Sequence, residues 1–321
     1  MKSVYTYKRK THISKSPAFE EKGMATHTLN CGILCGHGCK YCSTPTLLYA
    51  YPAFKKFGYT SSQMLSGGSS IIDPETPKAI KDECRKLKKT DVLLISSTSD
   101  AWSPEAQGYD IGARVLEVLL KHTDCRIRLL TKNATVADDL DIIKKFGDRI
   151  VLGLSLTSTP EKSAIARLLE PNASTNTERM KVLRQAHKKG IRVYGMLCPC
   201  IPGLLTDAED FDYLLEFCKS IEAEEIWTEP VNGRGKGLMN CSETLRKAGH
   251  ISIAAAIDKI RKKENWQHYS HDLIKMTTRL ARKRGLLKRL RFLMYDKKCH
   301  FNGDDTAVLW LSEDKLKQRS I

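Results

Sequence analysis

A run of closely spaced cysteines near the amino terminus constrains this chain more than any other feature. Cys35, Cys39 and Cys42 form a C-x₃-C-x₂-C array, with Tyr41 directly before the last cysteine. The segment is too short for a packed core, and its glycines let the backbone wrap closely around a bound group. Four-iron clusters are commonly held by four cysteine thiolates. Three thiolates would therefore leave one iron open for a cofactor or a substrate.

A structural zinc site is the alternative interpretation of the same segment. Zinc prefers four ligands, and Cys31 or His37 can supply the fourth. The sequence has no second C-x₂-C pair, which favours the cluster over zinc. Cys31 is then either a bystander or a reactive thiol near the cluster, because the open iron requires that it is not a ligand.

Beyond the cysteines, short apolar runs alternate with helical patterns. The predicted strands cover residues 26–29, 92–95, 126–130, 150–154, 191–197 and 225–228, and most of them end in polar residues. Strands that alternate with helices predict a parallel sheet with right-handed crossovers. We therefore predict an α/β fold, a partial (β/α)6 barrel open on one side. Residues 1–25 are predicted to form a basic N-terminal arm, 26–240 the barrel, and 241–321 a basic C-terminal extension of helices and strands.

Composition and net charge indicate which class of partner the protein binds. The 321 residues carry a formal net charge of +16, which predicts a polyanionic partner, with nucleic acid first, although a solvated lysine surface is the alternative. Aromatic residues between positions 43 and 70 either stack on bases or pack against the barrel.

The number of cysteines and the hydropathy pattern indicate the cellular compartment. Eleven cysteines without the spacing of a disulfide scaffold indicate a reducing compartment, so we expect a cytoplasmic protein. No apolar run is long enough to span a membrane, and residues 1–15 lack the apolar segment of a secretory signal. We therefore expect no membrane partner.

The array Gly36-His37-Gly38-Cys39-x-Tyr41-Cys42 resembles that of radical S-adenosylmethionine (SAM) enzymes. Five further motifs resemble the spore photoproduct lyase-like branch of that superfamily: Lys15-Ser-Pro17, Thr98-Ser-Asp100, Leu130-Thr-Lys132, Glu170-Pro171 with Arg179, and Pro199-x-Ile-Pro202-Gly203. The resemblance implies a radical-SAM barrel with a 4Fe-4S cluster on the three cysteines. It also implies SAM on the open iron, a 5′-deoxyadenosyl radical, and an electron donor such as flavodoxin or ferredoxin.

The resemblance further implies four contacts with SAM. Tyr41 would lie against the adenine, and Lys132 would pair with the carboxylate. Ser97 and Ser155 would donate hydrogen bonds, the latter to the ribose or the methionine part. The lysine and the serines follow predicted strands, where α/β barrels place active-site residues. A surface lysine and ordinary strand-end hydrogen bonding are the alternatives.

Other strand-end residues are candidates for the reaction itself. Cys198 and Cys200 follow the fifth predicted strand, and either thiol can donate a hydrogen atom or quench a substrate radical. The alternative is that both are small buried hydrophobic residues. Glu229, Asn232 and Arg234 follow the sixth predicted strand and are candidate substrate contacts.

The chain also departs from this branch. Close relatives of the lyase carry a hydrogen-donating cysteine where this chain has Ser96, and a serine O–H bond is too strong to donate a hydrogen atom readily. Ser43 and Asn30-Cys31-Gly32 also replace residues typical of the family. These departures argue against thymine-dimer repair by the lyase's own route. We predict a radical SAM enzyme of the spore photoproduct lyase-like kind, of lyase or transferase type, that repairs or modifies a nucleic acid. An enzyme acting on a peptide or small molecule, and a non-enzymatic cysteine-rich metal- and nucleic-acid-binding protein, are the alternatives.

Overall fold

The computed structural model describes residues 3–66, 68–294 and 301–310. The first two residues of the predicted N-terminal arm lie outside these ranges, as do residues 295–300 and 311–321 of the predicted C-terminal extension. The strands, in chain order, are β1 (Val4–Thr6), β2 (Ile13–Lys15), β3 (His27–Leu29), β4 (Gly32–Leu34), β5 (Ser70–Ile72), β6 (Val92–Ile95), β7 (Arg126–Thr131), β8 (Ile150–Ser155), β9 (Val193–Cys200), β10 (Ile226–Pro230), β11 (Leu290–Met294) and β12 (Val308–Trp310).

A nine-stranded sheet organises the described residues, in the order β12-β11-β10-β9-β8-β7-β6-β3-β2. Every neighbouring pair is parallel except β2 and β3. The run from β3 through β6 to β10 contains the six predicted parallel strands, and the predicted partial (β/α)6 barrel is confirmed. Their apolar side chains are buried on both faces, as expected of parallel strands covered by crossover helices.

The predicted C-terminal extension contributes to the same sheet. β11 pairs in parallel with β10, so that Leu290 lies opposite Ile226, and β12 pairs with β11. The extension therefore lengthens the barrel sheet and is hydrogen-bonded to it. The boundaries at residues 25 and 240 stay predictions.

Helices connect the strands. They are α1 (Pro17–Glu20), α2 (Thr44–Leu47), α3 (Pro52–Lys56), α4 (Ser61–Ser66), α5 (Thr76–Cys84), α6 (Pro104–Gln107), α7 (Ile111–His122), α8 (Leu140–Lys144), α9 (Ser163–Leu169), α10 (Asn176–Lys188), α11 (Ala208–Ser220), α12 (Gly237–Lys247), α13 (Ile251–Lys259) and α14 (Lys263–Lys283), with short 3₁₀ turns at Ala134–Asp139, Gly147–Arg149, Pro160–Lys162 and Leu287–Arg289. Helices such as α5, α7, α10, α11 and α14 pack on the outer face of the sheet, and others pack on a smaller sheet or beside the cysteine loop. The start of α10 follows from the sequence, because Thr175 and Glu178 form a reciprocal capping box. None of the helices in the described ranges is both long and apolar enough to cross a membrane.

A small second sheet, in the order β1-β5-β4, sits beside the main one. Between β3 and the cysteine loop the chain forms β4, which pairs with β5, whereas the sequence predicts that the loop follows the first predicted strand, residues 26–29, without such an intervening strand. The arm is also folded, since His12 Nε2 lies 2.9 Å from Asp73 Oδ2 and His12 Nδ1 lies 3.2 Å from Glu83 Oε1. These contacts tie the arm to the residue after β5 and to α5.

Candidate functional site

The three cysteines of the array lie in one loop between β4 and α2. Cys39 is buried, and Cys35 and Cys42 are half-buried. Burial raises the pKa of Cys35, and the charges of Glu105, Cys42 and Cys39 raise it further. Because one thiol influences another only at short range, the three side chains face a common region.

The residues present fit a 4Fe-4S cluster. Among the described residues, no group of three or more His, Cys, Asp or Glu side chains is arranged to hold one metal ion. A zinc ion needs its sulfur ligands about 2.3 Å from one centre, whereas in a 4Fe-4S cluster each thiolate binds a different iron and the sulfurs stand further apart. The three thiols of Cys35, Cys39 and Cys42 lie in one short loop, and they suit a cluster in which each thiolate binds its own iron.

A carboxylate holds the turn of the cysteine loop. The backbone N–H of Gly36 donates to both oxygens of Glu105, at 2.8 and 2.9 Å. A Cβ atom at Gly36 would lie 2.3 Å from a Glu105 oxygen, and Gly38 has a positive φ of +66°. Only glycine fits both positions without strain, which explains two of the loop's glycines.

A second carboxylate, Asp100, joins the loop to two strand ends. His37 Nε2 lies 2.8 Å from Asp100 Oδ2, and both side chains are buried. The Thr131 hydroxyl and the Lys132 backbone N–H also donate to this carboxylate, each at 2.9 Å. Burial alone would raise the pKa of Asp100, but His37 and the donated hydrogen bonds together hold it below its usual value. The carboxylate therefore stays charged and fixes the loop to β7.

Tyr41 belongs to a buried network of hydrogen bonds and ion pairs next to the cysteine loop. Its hydroxyl donates to Glu170, and Arg179 Nη2 lies 2.5 Å from the other Glu170 oxygen. Arg179 Nη1 also donates to the Ser155 carbonyl at 2.8 Å. The Lys132 ammonium lies 5.8 Å from the Tyr41 ring centre. The structure thus brings together three residues that the resemblance assigned to SAM: Tyr41, Lys132 and Ser155.

The electrostatics of Lys132 follow from that network. Burial would lower the pKa of this lysine, but the Glu170 carboxylate and the Cys39 thiol outweigh it and raise the pKa. The side chain therefore carries its positive charge at neutral pH, directly beside the cysteine loop. A charged lysine in this position can pair with an anionic group brought to the loop.

Ser97 is held at the end of β6 by a neighbouring amide. Asn30 Nδ2 donates to the Ser97 hydroxyl at 2.9 Å, and Asn30 Oδ1 accepts from the backbone of Thr98 and Ser99. Ser96 has a φ of +71°, and its hydroxyl accepts from the Ala101 backbone. Ser96 thus has a structural use, at the position where the resemblance predicted a cysteine in close relatives of the lyase.

The two candidate thiols of β9 occupy different surroundings. Cys198 is 7% exposed and packs inside the barrel with Met196 and Trp227. Burial raises its pKa most, and the nearby Glu229 carboxylate adds to the effect whereas Lys132 opposes it.

Cys200 belongs to the helix-facing core instead, and its sulfur lies 3.3 Å from Thr228 Oγ1. Of the two thiols, Cys198 is therefore the one placed near Lys132.

The loop after β10 approaches the cysteine loop from the other side. Asn232 Oδ1 accepts from the Arg234 backbone N–H at 2.9 Å, and the Arg234 side chain is exposed. A Cβ atom at Gly237 would lie 2.9 Å from the Tyr41 carbonyl oxygen. Glu229 is half-buried beside Cys198. The three candidate substrate contacts therefore lie at one rim, with Glu229 innermost.

The sequence reasoning missed the side chains that hold the loop in place. Glu105 and Asn172 had no assigned role, yet Asn172 Nδ2 donates to the Gly36 carbonyl at 2.7 Å. Asp100 belongs to the Thr98-Ser-Asp100 motif, but its partner His37 lies 63 positions away in the chain. A polar residue directly after a strand indicates that it can hold a neighbouring loop in place. Which loop it contacts depends on the tertiary structure and cannot be read from the sequence.

Solved structures with a similar fold come from spore photoproduct lyase. One variant aligns with a TM-score of 0.55 at 13% identity, over 88% of this chain and 79% of the lyase chain. A variant with bound AdoMet and dinucleoside spore photoproduct aligns with a TM-score of 0.52 at 14% identity, over 76% of this chain and 66% of that one. This chain therefore spans slightly less than two thirds of the second structure. At such low identity these matches establish a shared fold alone.

Sequence comparisons add relatives and a family. An uncharacterized protein of Acidianus two-tailed virus is 26% identical over 214 residues, which are 65% of this chain and 68% of the viral protein. An uncharacterized protein of Methanocaldococcus jannaschii is 27% identical over 191 residues, 60% of this chain and 65% of that protein. The Radical SAM superfamily model matches residues 29–218. Because this match covers more than half of the chain, the protein belongs to the radical SAM superfamily, and it is an enzyme whose cofactors are a 4Fe-4S cluster and SAM.

Proposed function

We propose that this enzyme repairs or modifies a nucleic acid, with the cluster on Cys35, Cys39 and Cys42. The observation that carries the proposal is the surface directly beside the cysteine loop. The Leu47 and Tyr49 side chains are 51% and 75% exposed there, one helix after the last cysteine. Exposed aromatic rings and cations are what single-stranded nucleic acids bind.

An exposed cation, Arg234, is carried by a turn that contacts the same helix, α2. A Cβ atom at Gly235 would lie 1.9 Å from Thr46 Oγ1, so the turn that carries Arg234 packs on α2. Arg234 is exposed on this turn, and α2 ends shortly before Tyr49 in the chain. An aromatic ring for a base and a guanidinium for a phosphate would seat a strand across the mouth of the barrel. Phe54, in contrast, is a buried packing residue.

The protein's side chains have separate tasks in this proposal. When bound and reduced, the cluster and SAM supply the 5′-deoxyadenosyl radical, with electrons from a donor of the flavodoxin or ferredoxin class. Lys132 would pair with the carboxylate of SAM, because its charge is maintained beside the loop. Tyr41, Ser97 and Ser155 would position the rest of the molecule.

Cys198 is the proposed hydrogen donor. Its sulfhydryl lies inside the barrel next to Lys132 and Glu229, and the S–H bond is weak enough to transfer a hydrogen atom to a carbon radical. The step forms a C–H bond and leaves a sulfur radical, which the electron donor reduces and a proton restores. Replacement of Cys198 by Ala should abolish product formation while 5′-deoxyadenosine is still released, and unchanged product formation would refute this role.

Binding of a fluorescent single-stranded oligonucleotide tests the substrate class. We expect the logarithm of the affinity to fall steeply with the logarithm of salt concentration, because phosphate contacts release counterions. The double variant Tyr49→Ala/Arg234→Gln should weaken binding by about 1–3 kcal/mol for one lost stacking contact.

The matched control is Tyr213→Ala/Arg114→Gln, which changes an exposed tyrosine and an exposed arginine on other helices. A salt slope near zero, or equal weakening in the control, would remove nucleic acid as the substrate. A peptide or small-molecule substrate would then be favoured, provided that reduced enzyme still releases 5′-deoxyadenosine.

A further inference from the structure

A cavity opens at the amino-terminal ends of the barrel strands, opposite the cysteine loop. It measures about 440 Å³ and is lined by residues at the starts of β6 to β11. Its volume falls in the range of roughly 300–1,000 Å³ found for small-molecule sites. Four arginines line it: Arg126, Arg128, Arg192 and Arg291. The proposed function uses none of them.

Two of these arginines are neutralised and two are not. Arg192 pairs with Glu224 at 2.5 Å and Arg128 with Glu225 at 2.8 Å. In the described part of the chain, Arg126 instead donates to the Thr90 carbonyl at 3.1 Å. Arg291 likewise donates to two backbone carbonyls, at 2.8 and 2.9 Å. The cavity wall therefore has a surplus of positive charge.

Arg128 is built into the wall. It is 8% exposed, and its guanidinium carbon lies 4.9 Å from the Tyr194 ring centre and 5.4 Å from that of Trp227. Its Nε donates to the Met24 carbonyl at 3.1 Å, whereas its buried Nη1 has no hydrogen-bond partner among the described residues. A buried guanidinium with an unsatisfied N–H is costly unless an acceptor completes it.

We propose that this cavity binds the phosphate groups of a small molecule. A guanidinium presents its donors in a planar fork that matches phosphate oxygens, and several arginines around a concave, partly apolar site focus their field on it. One strand face links the cavity to the candidate active site, because Tyr194 lines the cavity and Cys198 lies four residues further along β9. The two sites lie at opposite ends of the same strands.

Calorimetric titration of the reconstituted holoenzyme tests the proposal. The probes are inorganic pyrophosphate and adenosine diphosphate, each titrated with saturating SAM so that the adenosine pocket is filled. We expect at least one probe to bind. Equal affinity for both probes would show that the protein recognises the phosphates alone. Tighter binding of adenosine diphosphate would show that the nucleoside also contacts the protein.

The variant Arg126→Gln/Arg291→Gln should weaken binding at least about tenfold, because it removes two charged donors without breaking an ion pair. The control Arg114→Gln changes an exposed arginine that, like Arg126, donates to a backbone carbonyl, and it should bind like the unmodified enzyme. No binding of either probe, or equal affinity in the double variant, would overturn the proposal, as would an equal loss in the control.

Discussion

His37 Nε2 lies 2.8 Å from Asp100 Oδ2, although the two residues are 63 positions apart in the chain. His37 stands between two cysteines of the array, and Asp100 follows β6. The Asp100 carboxylate also accepts hydrogen bonds from Thr131 and Lys132. One buried side chain therefore fixes the position of the cysteine loop relative to the strand ends that carry the proposed SAM contacts.

Replacement of Asp100 by Asn should loosen this loop. The amide keeps the shape but loses the charge that pairs with His37 and one of the acceptor oxygens. Leaving buried donors unsatisfied costs about 1–3 kcal/mol, so we expect a lower free energy of unfolding and faster loss of iron under a chelator. Denaturant unfolding and the decay of iron absorbance measure the two effects. The exposed Asp82→Asn variant is the control, and equal decay in both would contradict the anchoring role.

Removal of any one cluster ligand should abolish binding of the iron–sulfur cluster. We expect Cys35→Ala, Cys39→Ala and Cys42→Ala each to lose the brown iron chromophore after anaerobic reconstitution, and with it the release of 5′-deoxyadenosine. Cys218→Ala is the matched control, since Cys218 is buried in the helix-facing core. Full iron content in any of the three loop variants, or bound zinc in the unmodified protein, would be incompatible with the proposed cluster ligands.

Lys132→Met should weaken SAM binding. The change removes the charge proposed to pair with the carboxylate of SAM, and a hydrogen bond to a charged group contributes about 1.5–3 kcal/mol. Equilibrium dialysis with reconstituted enzyme measures the dissociation constant, which should rise by about one to two orders of magnitude. The exposed Lys145→Met variant should leave it unchanged. An unaltered constant in Lys132→Met would exclude the proposed pairing.

The buried pair of Glu170 and Arg179 predicts a large effect on stability. Arg179 is fully buried, with a side-chain exposure of 0%, and Glu170 is 4% exposed. Glu170→Gln leaves that arginine without its counter-ion, which costs about 3–5 kcal/mol in buried pairs. In contrast, Glu224→Gln breaks a pair whose partners are each 39% exposed, and should cost no more than about 1 kcal/mol. Equal unfolding midpoints for the two variants would contradict this ranking.

The Asp73 carboxylate should account for part of the loss of folding stability at low pH. Burial raises its pKa, but hydrogen bonds from His12 and from two backbone N–H groups together hold the pKa below its usual value. A carboxyl whose pKa is lower when folded stabilises the protein above its unfolded pKa, and this contribution is lost as the pH falls through the folded value. In Asp73→Asn the free energy of unfolding should therefore depend less on pH below about pH 5. An unchanged pH dependence would exclude a contribution from Asp73.

The cysteine spacing and the alternation of apolar runs with helices already determined the fold class and the cofactor class, because both patterns depend on residues close together in the chain. The tertiary structure decided what those residues contact. It paired Tyr41 with Glu170 and His37 with Asp100, and it separated Cys198 from Cys200 by turning one into the barrel and the other toward the helices. Such contacts join residues distant in sequence, and their geometry is set by the packing of whole strands and helices.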